Sequence, residues 1–300
     1  MTSAGKLLTS IGNTPLVELS NLAPKKGARI LVKLEGSNPG GSVKDRAAAW
    51  MIRHGESDGQ LIQGTTILEA TSGNTGIGLA MAGAALGYRV ILIIPDSVSS
   101  ERRKTLEAFG AEVITTPGIR GTDGAIEAVR RMKEEYPRKY FVPNQYANKA
   151  NWLSHYETTA KEILRQTRGE LHAFVAGMGT GGTLMGHSRR FKEENKEIRI
   201  IGVQPEPGHN IQGLKNMAES EVPEIFEEKR LDEIVTRNDS HAFRMTQLLA
   251  RQEGLFVGMS SGAAVSVAIE TAEQMKPTQT VVVISPDRGD RYLSTGVFAN

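Results

Sequence analysis

Short apolar runs rich in valine and isoleucine alternate along this chain with longer segments of helical pattern. Seven runs are mostly apolar, without the strict alternation of a half-exposed strand: ARILVKLEG, TTILEA, RVILIIP, AEVITT, HAFVAG, IRIIGVQP and TVVVISP. Such strands are typical of parallel sheets covered on both faces. Helical segments such as Ser99–Phe109 and Thr122–Tyr136 lie between the runs. The pattern predicts a doubly wound α/β fold of mainly parallel sheet with helices on both faces.

The sequence marks domain boundaries only weakly, because it contains no internal repeat and no low-complexity linker. A length of 300 residues is enough for two domains. The stretches Pro143–Trp152 and Gly36–Gly41 are the best candidates for crossings between domains. We expect a larger domain from residues 1–38 and 148–300 and a smaller one from residues 39–147.

Composition and charge argue against several classes of function. The formal net charge is +2, and no basic run of the kind that binds nucleic acid or anionic lipid occurs. No segment has the pattern of a signal peptide or a membrane span. The chain has no cysteine, and its six histidines lack metal-ligand spacing. We expect a cytoplasmic protein with no metal site that binds neither nucleic acid nor membrane.

Lys44 lies in the stretch GGSVKDR, between a predicted tight turn and an alanine-rich helix. A lysine on the first turn of a helix meets the positive end of the macrodipole, which favours the neutral amine that a nucleophile needs. Taken alone, these seven residues favour an ordinary surface lysine that pairs with Asp45. The interpretation of Lys44 therefore depends on the rest of the chain.

Three further loops place small polar residues where a strand is followed by a helix, and the helices predicted after the first and third loops are Gly76–Leu86 and Gly262–Met275. TSGNTGIG (Thr71–Gly78) offers backbone N–H groups and hydroxyls that suit a carboxylate or phosphate, although one side chain could instead cap the helix. GMGTGGT (Gly177–Thr183) suits a phosphate. In GMSSGAA (Gly258–Ala264), one of Ser260 and Ser261 could cap the helix while the other meets a heterocyclic nitrogen.

The GMGTGGT loop also fits a competing interpretation. Gly177, Gly179 and Gly182 form GxGxxG between a strand and a helix, and Glu206 follows the next strand. These are features of a dinucleotide-binding site, so an NAD-dependent oxidoreductase is the alternative from another class. It leaves Lys44 and the TSGNTG loop without a role, and we rank it lower.

The four loops together fit pyridoxal 5′-phosphate acting on an amino-acid substrate. A lysine would form a Schiff base with the cofactor aldehyde and then move substrate protons. The phosphate site would anchor the cofactor, and the hydroxyl would meet its ring nitrogen. The carboxylate site would orient the amino acid so that its Cα–H bond aligns with the ring.

The sequence closely resembles the cysteine synthases (O-acetylserine sulfhydrylases) of the fold type II pyridoxal-phosphate enzymes, which also include cystathionine β-synthase. The resemblance runs nearly end to end, through IGNTPLVEL, NPGGSVKDR, EATSGNTGIGLA, SERRKTLEAFGAE, GMGTGGT, GMSSGAA and DRGDRYLSTGVF. The PEPGHNIQGLKNM segment and the C-terminal motif look most like the B-type branch. The resemblance implies two domains with the cofactor between them, a smaller domain that closes over the substrate, and a homodimer.

The resemblance also implies a role for each site residue. Lys44 is implied as the Schiff-base lysine and the acid and base at Cα, Asn74 as the partner of the cofactor's ring hydroxyl, and Ser260 as the partner of the pyridine nitrogen. The residues implied to hold the phosphate are Gly179, Thr180, Gly181, Gly182 and Thr183. The residues implied to hold the substrate carboxylate are Thr71, Ser72, Asn74, Thr75 and Gln145.

The implied reaction is β-replacement on O-acetyl-L-serine or O-phospho-L-serine. Acetate or phosphate leaves, an α-aminoacrylate forms, and sulfide or another sulfur donor adds to give L-cysteine. Cystathionine β-synthase, which uses homocysteine, is the nearest alternative. A dehydratase and a regulatory binding protein of the same fold are more remote ones, and the sulfur donor and the leaving group stay open.

Two departures from the family pattern bear on function. At the proposed hinge, the family usually has the sequence NPANP. The corresponding residues of this chain, Asn148–Trp152, contain neither proline. Lys215 stands where the phosphoserine-using branch has an arginine. Lysine attracts phosphate without the bidentate geometry of arginine. Lys215 is therefore a candidate contact for the substrate's leaving group.

Overall fold

The computed structural model describes residues 6–219 and 221–299. The chain divides into two units, unit 1 (Met1–Ile11 and Asn38–Asn151) and unit 2 (Gly12–Ser37 and Trp152–Asn300). The boundaries between the units lie after residues 11, 37 and 151, whereas the sequence predicts boundaries after residues 38 and 147. The outermost residues of the expected larger domain, 1–5 and 300, lie outside the described residues.

The described residues form two parallel-type sheets and the helices around them. The strands in chain order are β1 (Leu16–Glu18), β2 (Arg29–Leu34), β3 (Thr66–Ala70), β4 (Val90–Pro95), β5 (Glu112–Thr116), β6 (Tyr140–Phe141), β7 (Ala173–Gly177), β8 (Arg199–Pro205), β9 (Glu233–Arg237) and β10 (Thr280–Ser285). The helices are α1 (Lys44–Ser57), α2 (Asn74–Leu86), α3 (Ser100–Ala108), α4 (Gly121–Glu135), α5 (Lys149–Ser154), α6 (Ala160–Thr167), α7 (Gly182–Glu194), α8 (Asp239–Glu253) and α9 (Met259–Glu273). A π-helical turn, His155–Thr159, joins α5 to α6.

Unit 1 is built on a four-stranded sheet of order β5-β4-β3-β6, in which every pair is parallel. Alternate residues of β3 serve opposite faces: Ile67 belongs to the core that packs α1 and α2, and Leu68 to the core that packs α4. Burial on both faces explains why these strands are apolar throughout instead of alternating. Two apolar layers thus hold one sheet between helices.

Unit 2 is built on a six-stranded sheet of order β1-β2-β10-β7-β8-β9. All of its pairs are parallel except β1 with β2, which is antiparallel. Val175 of β7 packs in the core beneath α9, while its neighbour Phe174 packs in the core with α6 and α7. Unit 2 therefore repeats the plan of unit 1, a doubly wound sheet covered on both faces.

The predicted fold class is confirmed, and each of the seven apolar runs contains a strand. The seven runs omit β1, β6 and β9. Of these, β1 and β6 are three and two residues long, and β9 (EIVTR), at a sheet edge, contains exposed and half-buried residues but no fully buried one. Such strands lack the long apolar run on which the prediction rests. Within residues 6–219 and 221–299, we find no helix whose length and hydropathy would allow it to cross a bilayer.

Candidate active site

Each sheet contains a point where the order of its strands reverses. In unit 1, β4 and β5 extend to one side of β3, while β6 pairs with its other side. In unit 2, β8 and β9 extend to one side of β7, while β10 pairs with its other side. Ligands of open α/β sheets bind outside the carboxyl ends of the strands at such points. The loops that follow β3, β6 and β7 are therefore placed for binding.

The turn before Lys44 is held by polar contacts of its own. Gly41 has a φ of +81°, which favours glycine, and its N–H donates to the Asn38 carbonyl at 2.8 Å. The Gly40 N–H donates to the buried carboxylate of Asp45 at 2.6 Å. Lys44 is the first residue of α1, as predicted, and its N–H donates to Ser42 Oγ at 3.2 Å. The lysine therefore lies at the positive end of the helix.

The loop after β3 leads into α2 without a side-chain cap. Gly73 occupies the N-cap position and no side chain caps the helix, so the capping interpretation of this loop is wrong. The helix begins at Asn74, two residues before the expected start at Gly76. A Cβ placed on Gly78 would lie 3.1 Å from the Lys44 carbonyl oxygen. The glycine thus allows the starts of α1 and α2 to approach closely, with Lys44 beside the loop.

The segment after β6 joins this loop through two buried side chains. Thr75 Oγ1 donates to Gln145 Oε1 at 2.6 Å. The Gln145 carbonyl accepts from the side-chain amide of Asn151 at 2.7 Å, which fixes the backbone on the other side. Thr71 and Ser72 are half-buried at the entrance of the loop. Unit 1 therefore brings together Lys44 and the residues predicted to bind a substrate carboxylate: Thr71, Ser72, Asn74, Thr75 and Gln145.

Glu69 was not among the residues predicted from the sequence, yet it links the same two segments. Its carboxylate accepts from the N–H of Asn144 at 2.8 Å and from the N–H of Ala70 at 3.3 Å. Burial raises the pKa of Glu69 to about 7, although backbone hydrogen bonds from Asn144, Ala70 and Gln145 oppose this shift. The signal that could have found Glu69 is the single acidic residue in the apolar run TTILEA.

The loop after β7 has the features of a phosphate site. Helix α7 begins at Gly182, and its N-cap Gly181 has a φ of +82° and provides no side-chain cap. The first N–H groups of such a helix have no intrahelical partner. No acidic residue lies in the first turn, and Thr180 and Thr183 add hydroxyls. This set of donors fits a phosphate anion, and hence the phosphate group of pyridoxal phosphate.

The segment that carries Lys215 lies against this loop within unit 2. The Lys215 N–H donates to the Met178 carbonyl at 2.7 Å. A Cβ placed on Gly179 would come within 2.8 Å of the Gly213 carbonyl oxygen, so a glycine is required there. The half-buried Lys215 therefore follows the backbone of the phosphate loop.

The two serines of α9 have different surroundings. The helix begins at Met259, before both serines, and its N-cap Gly258 has no side-chain cap. The expectation that one serine caps the helix is therefore wrong. Ser261 Oγ lies 3.0 Å from Ser285 Oγ at the end of β10. Ser260 is 3% exposed, and its Oγ lies 4.0 Å from the position that a Cβ on Gly213 would occupy. Ser260 thus lies beside the segment that packs on the phosphate loop.

Comparison with known proteins identifies the family of the chain. Residues 7–287 match the family described as pyridoxal-phosphate dependent enzyme. Cysteine synthase B of Salmonella typhimurium is 46% identical over 289 residues, which cover 96% of this chain and 94% of the relative.

Solved structures agree with this match. The cysteine synthase of Entamoeba histolytica superimposes with a TM-score of 0.93 at 42% identity, over 98% of this chain and 90% of that one. The O-acetylserine dependent cystathionine β-synthase of Helicobacter pylori superimposes with a TM-score of 0.89 at 37% identity, over 99% of both chains. The nicotinamide interpretation of the GMGTGGT loop is therefore not favoured, and the chain belongs to the family of pyridoxal-phosphate dependent enzymes.

Proposed function

We propose that this chain is a cysteine synthase whose polar loops bind pyridoxal phosphate and the amino-acid substrate. The observation that carries the proposal is the meeting of Lys44, the Thr71–Thr75 loop and Gln145 at the carboxyl end of one sheet. A nucleophilic amine beside a carboxylate site suits an amino-acid substrate, and the 46% identity to a cysteine synthase B narrows the reaction to β-replacement.

Each group of residues has a task in this proposal. Pyridoxal phosphate, when bound, supplies an aldehyde that reacts with amines and a ring that accepts electrons from the substrate's Cα. Residues Gly179–Thr183 would hold its phosphate, Ser260 would bond its pyridine nitrogen through the hydroxyl, and Asn74 would bond its ring hydroxyl.

The substrate is oriented and deprotonated by residues of unit 1. Thr71, Ser72 and Thr75, together with Gln145 and the first N–H groups of α2, bind its carboxylate. This contact holds Cα in one position relative to Lys44, whose amine removes the Cα proton and later returns one. Sulfide, or another sulfur donor, then replaces the acetate or phosphate at Cβ, and L-cysteine is the product.

Cofactor uptake tests the first part of the proposal. The purified protein should take up one equivalent of pyridoxal phosphate and show a visible absorption band that Lys44→Ala abolishes. Lys104→Ala, which removes an exposed lysine of α3, is the matched control and should keep the band. A wild-type protein that takes up no pyridoxal phosphate would refute the proposal.

A steady-state substrate panel tests the second part. O-acetyl-L-serine and O-phospho-L-serine should each be assayed with sulfide and with homocysteine, and formation of L-cysteine should dominate. The Helicobacter pylori relative, whose name gives it cystathionine β-synthase activity, makes homocysteine the informative competitor. Cystathionine as the main product would favour that alternative. If phosphate is the natural leaving group, Lys215→Ala should raise KM for O-phospho-L-serine more than for O-acetyl-L-serine.

We also propose a homodimer in the cytoplasm, as the family resemblance implies. Light scattering on the pyridoxal-phosphate-loaded protein should give a mass of about twice 32.5 kDa. A monomer at micromolar concentration would contradict the dimer without bearing on the reaction.

A further inference from the structure

Glu69 joins two segments that meet only in the folded chain. It lies near the end of β3, directly before the Thr71–Thr75 loop, and its carboxylate accepts from the N–H of Asn144, a residue 75 positions later. The next residue after Asn144 is Gln145, whose side chain is bonded to Thr75. The two segments are therefore connected twice, once through Thr75 and Gln145 and once through Glu69.

The ionised form of Glu69 is the form that suits these contacts. Three backbone N–H groups, of Ala70, Asn144 and Gln145, donate toward its carboxylate, and a carboxylate is an acceptor at both oxygens. A neutral carboxyl group turns one oxygen into a hydroxyl and is the weaker acceptor. Protonation therefore weakens the link between the loop and the segment after β6.

The charged neighbours of Glu69 come from the helices on the two faces of β3. The elements of unit 1 that pack on β3 or share its core are β4, β6, α1, α2 and α4. Helix α1 packs in the core of Ile67, on the face of β3 that also carries Glu69, and its charged or titratable residues are Lys44, Asp45, Arg46, Arg53, His54 and Glu56. Helix α2 and strand β4 contain no ionisable side chain, and β6 contributes only Tyr140. From α4, Lys133 donates to the carbonyls of Pro137 and Tyr140. The other charged residues of α4 are Asp123, Glu127, Arg130, Arg131, Glu134 and Glu135.

Tyr146 is the ionisable group that responds to Glu69. It follows Gln145, and its pKa is raised to about 12 by burial and, secondarily, by the charge of Glu69. The tyrosine therefore stays neutral throughout the physiological range. Glu69 itself is placed to change charge near neutral pH, since burial raises its pKa to about 7.

We infer that Glu69 is a positioning residue for the substrate carboxylate site, and that its negative charge holds the Thr71–Thr75 loop and Gln145 in the arrangement that binds the amino acid. The inference rests on the proposed function, because it concerns binding of the amino-acid substrate. It predicts that the affinity for an amino acid is lost on acidification through neutral pH. The reason is that only the fraction with ionised Glu69 has both segments in place.

The test uses the pyridoxal-phosphate-loaded enzyme and L-alanine, which has no leaving group and keeps its charge between pH 6 and 8. Calorimetry on the wild type should give a Kd about tenfold higher at pH 6 than at pH 8, since the binding-competent fraction falls to about a tenth one pH unit below the pKa. At pH 8, Glu69→Gln should bind L-alanine more weakly than the wild type does. The Kd of the variant should be the same at pH 6 as at pH 8. Glu134→Gln, which alters an exposed glutamate of α4, should behave like the wild type.

Amide hydrogen exchange provides a readout that needs no substrate. After correction for intrinsic rates, Asn144 and Gln145 should exchange faster at pH 6 than at pH 8, and Glu69→Gln should remove this difference. Equal pH dependence in wild type and Glu69→Gln, or tighter L-alanine binding by the wild type at pH 6, would overturn the inference. A protein that binds no cofactor would refute the proposed function, while the exchange measurement would still test the role of Glu69.

Discussion

Glu69 illustrates, at the scale of the residue, what a local pattern misses. In the sequence it is an acidic residue at the end of an apolar run, and in the structure it is 5% exposed with Leu92 as its register partner. The hydrogen-bond partner that explains it, Asn144, is 75 residues away. Lys44 was predicted from several motifs along the chain, each of which is continuous in sequence, whereas the partners of Glu69 come together only when β6 pairs with β3.

The raised pKa of Glu69 makes a prediction about stability. Burial raises its pKa to about 7 in the folded chain, against an ordinary value of 4.5, so the unfolded chain loses this proton at a lower pH than the folded chain does. The free energy of unfolding should therefore fall as pH rises from 4.5 to 7, by up to about 3 kcal/mol from this group, and stay lower above pH 7. Glu69→Gln removes this contribution.

Urea unfolding of the wild type and of Glu69→Gln at pH 5 and pH 8 measures the contribution of Glu69 to the free energy of unfolding. The variant should gain stability relative to the wild type on going from pH 5 to pH 8. A stability difference that is the same at both pH values would contradict the prediction. Glu134→Gln should track the wild type at both.

At the scale of the element, three helices that carry predicted site residues have glycine at the N-cap position. The N-caps of α2, α7 and α9 are Gly73, Gly181 and Gly258, and none has a side-chain cap. Sequence rules place helix starts by serine, threonine or asparagine caps, and α2 and α9 accordingly begin two and three residues earlier than expected. A glycine cap leaves the first N–H groups available to a ligand.

The close approach at Gly179 yields a prediction for the phosphate loop. Gly179→Ala would bring its Cβ within 2.8 Å of the Gly213 carbonyl oxygen, so either the loop or the Lys215 segment must shift. We expect the Kd for pyridoxal phosphate to rise at least about tenfold, the equivalent of ~1.4 kcal/mol. Absorbance titration of the apoprotein measures it.

Gly208→Ala is the control for this substitution. Gly208 has a φ of +72°, and a Cβ there meets no atom within 4 Å. The variant should lose about 1 kcal/mol of stability from backbone strain and keep its affinity for pyridoxal phosphate. Equal cofactor affinity in Gly179→Ala and the wild type would show that the close approach does not matter for binding.

At the scale of the whole molecule, two doubly wound sheets each offer a point of strand reversal for binding. The reversal in unit 1 is flanked by the predicted substrate residues, and that in unit 2 by the predicted phosphate residues. Since pyridoxal phosphate binds the folded chain and not the unfolded one, cofactor binding should stabilise the folded protein.

Thermal unfolding with and without cofactor tests this expectation. Pyridoxal phosphate at 100 times its Kd should stabilise the fold by about 2.7 kcal/mol and raise Tm by about 5 °C or more. Pyridoxal, with the same aldehyde and no phosphate, should raise Tm much less at equal concentration. Equal shifts from the two compounds would indicate aldehyde chemistry at surface lysines instead of binding at the phosphate loop.

The sequence by itself determined the fold class, the four polar loops and the family. Buried parallel strands are mostly apolar, and the TSGNTGIG and GMGTGGT loops directly follow β3 and β7, so these features are written in consecutive residues. The expectation that GMSSGAA also follows a strand is wrong, because residues 254–258 join α8 to α9 with only an isolated bridge at Val257. Only the tertiary structure decided which of two adjacent serines is engaged: Ser261 contacts Ser285, and Ser260 lies beside Gly213. It likewise decided that Glu69 links two loops, because strand pairing brings together residues that no local pattern relates.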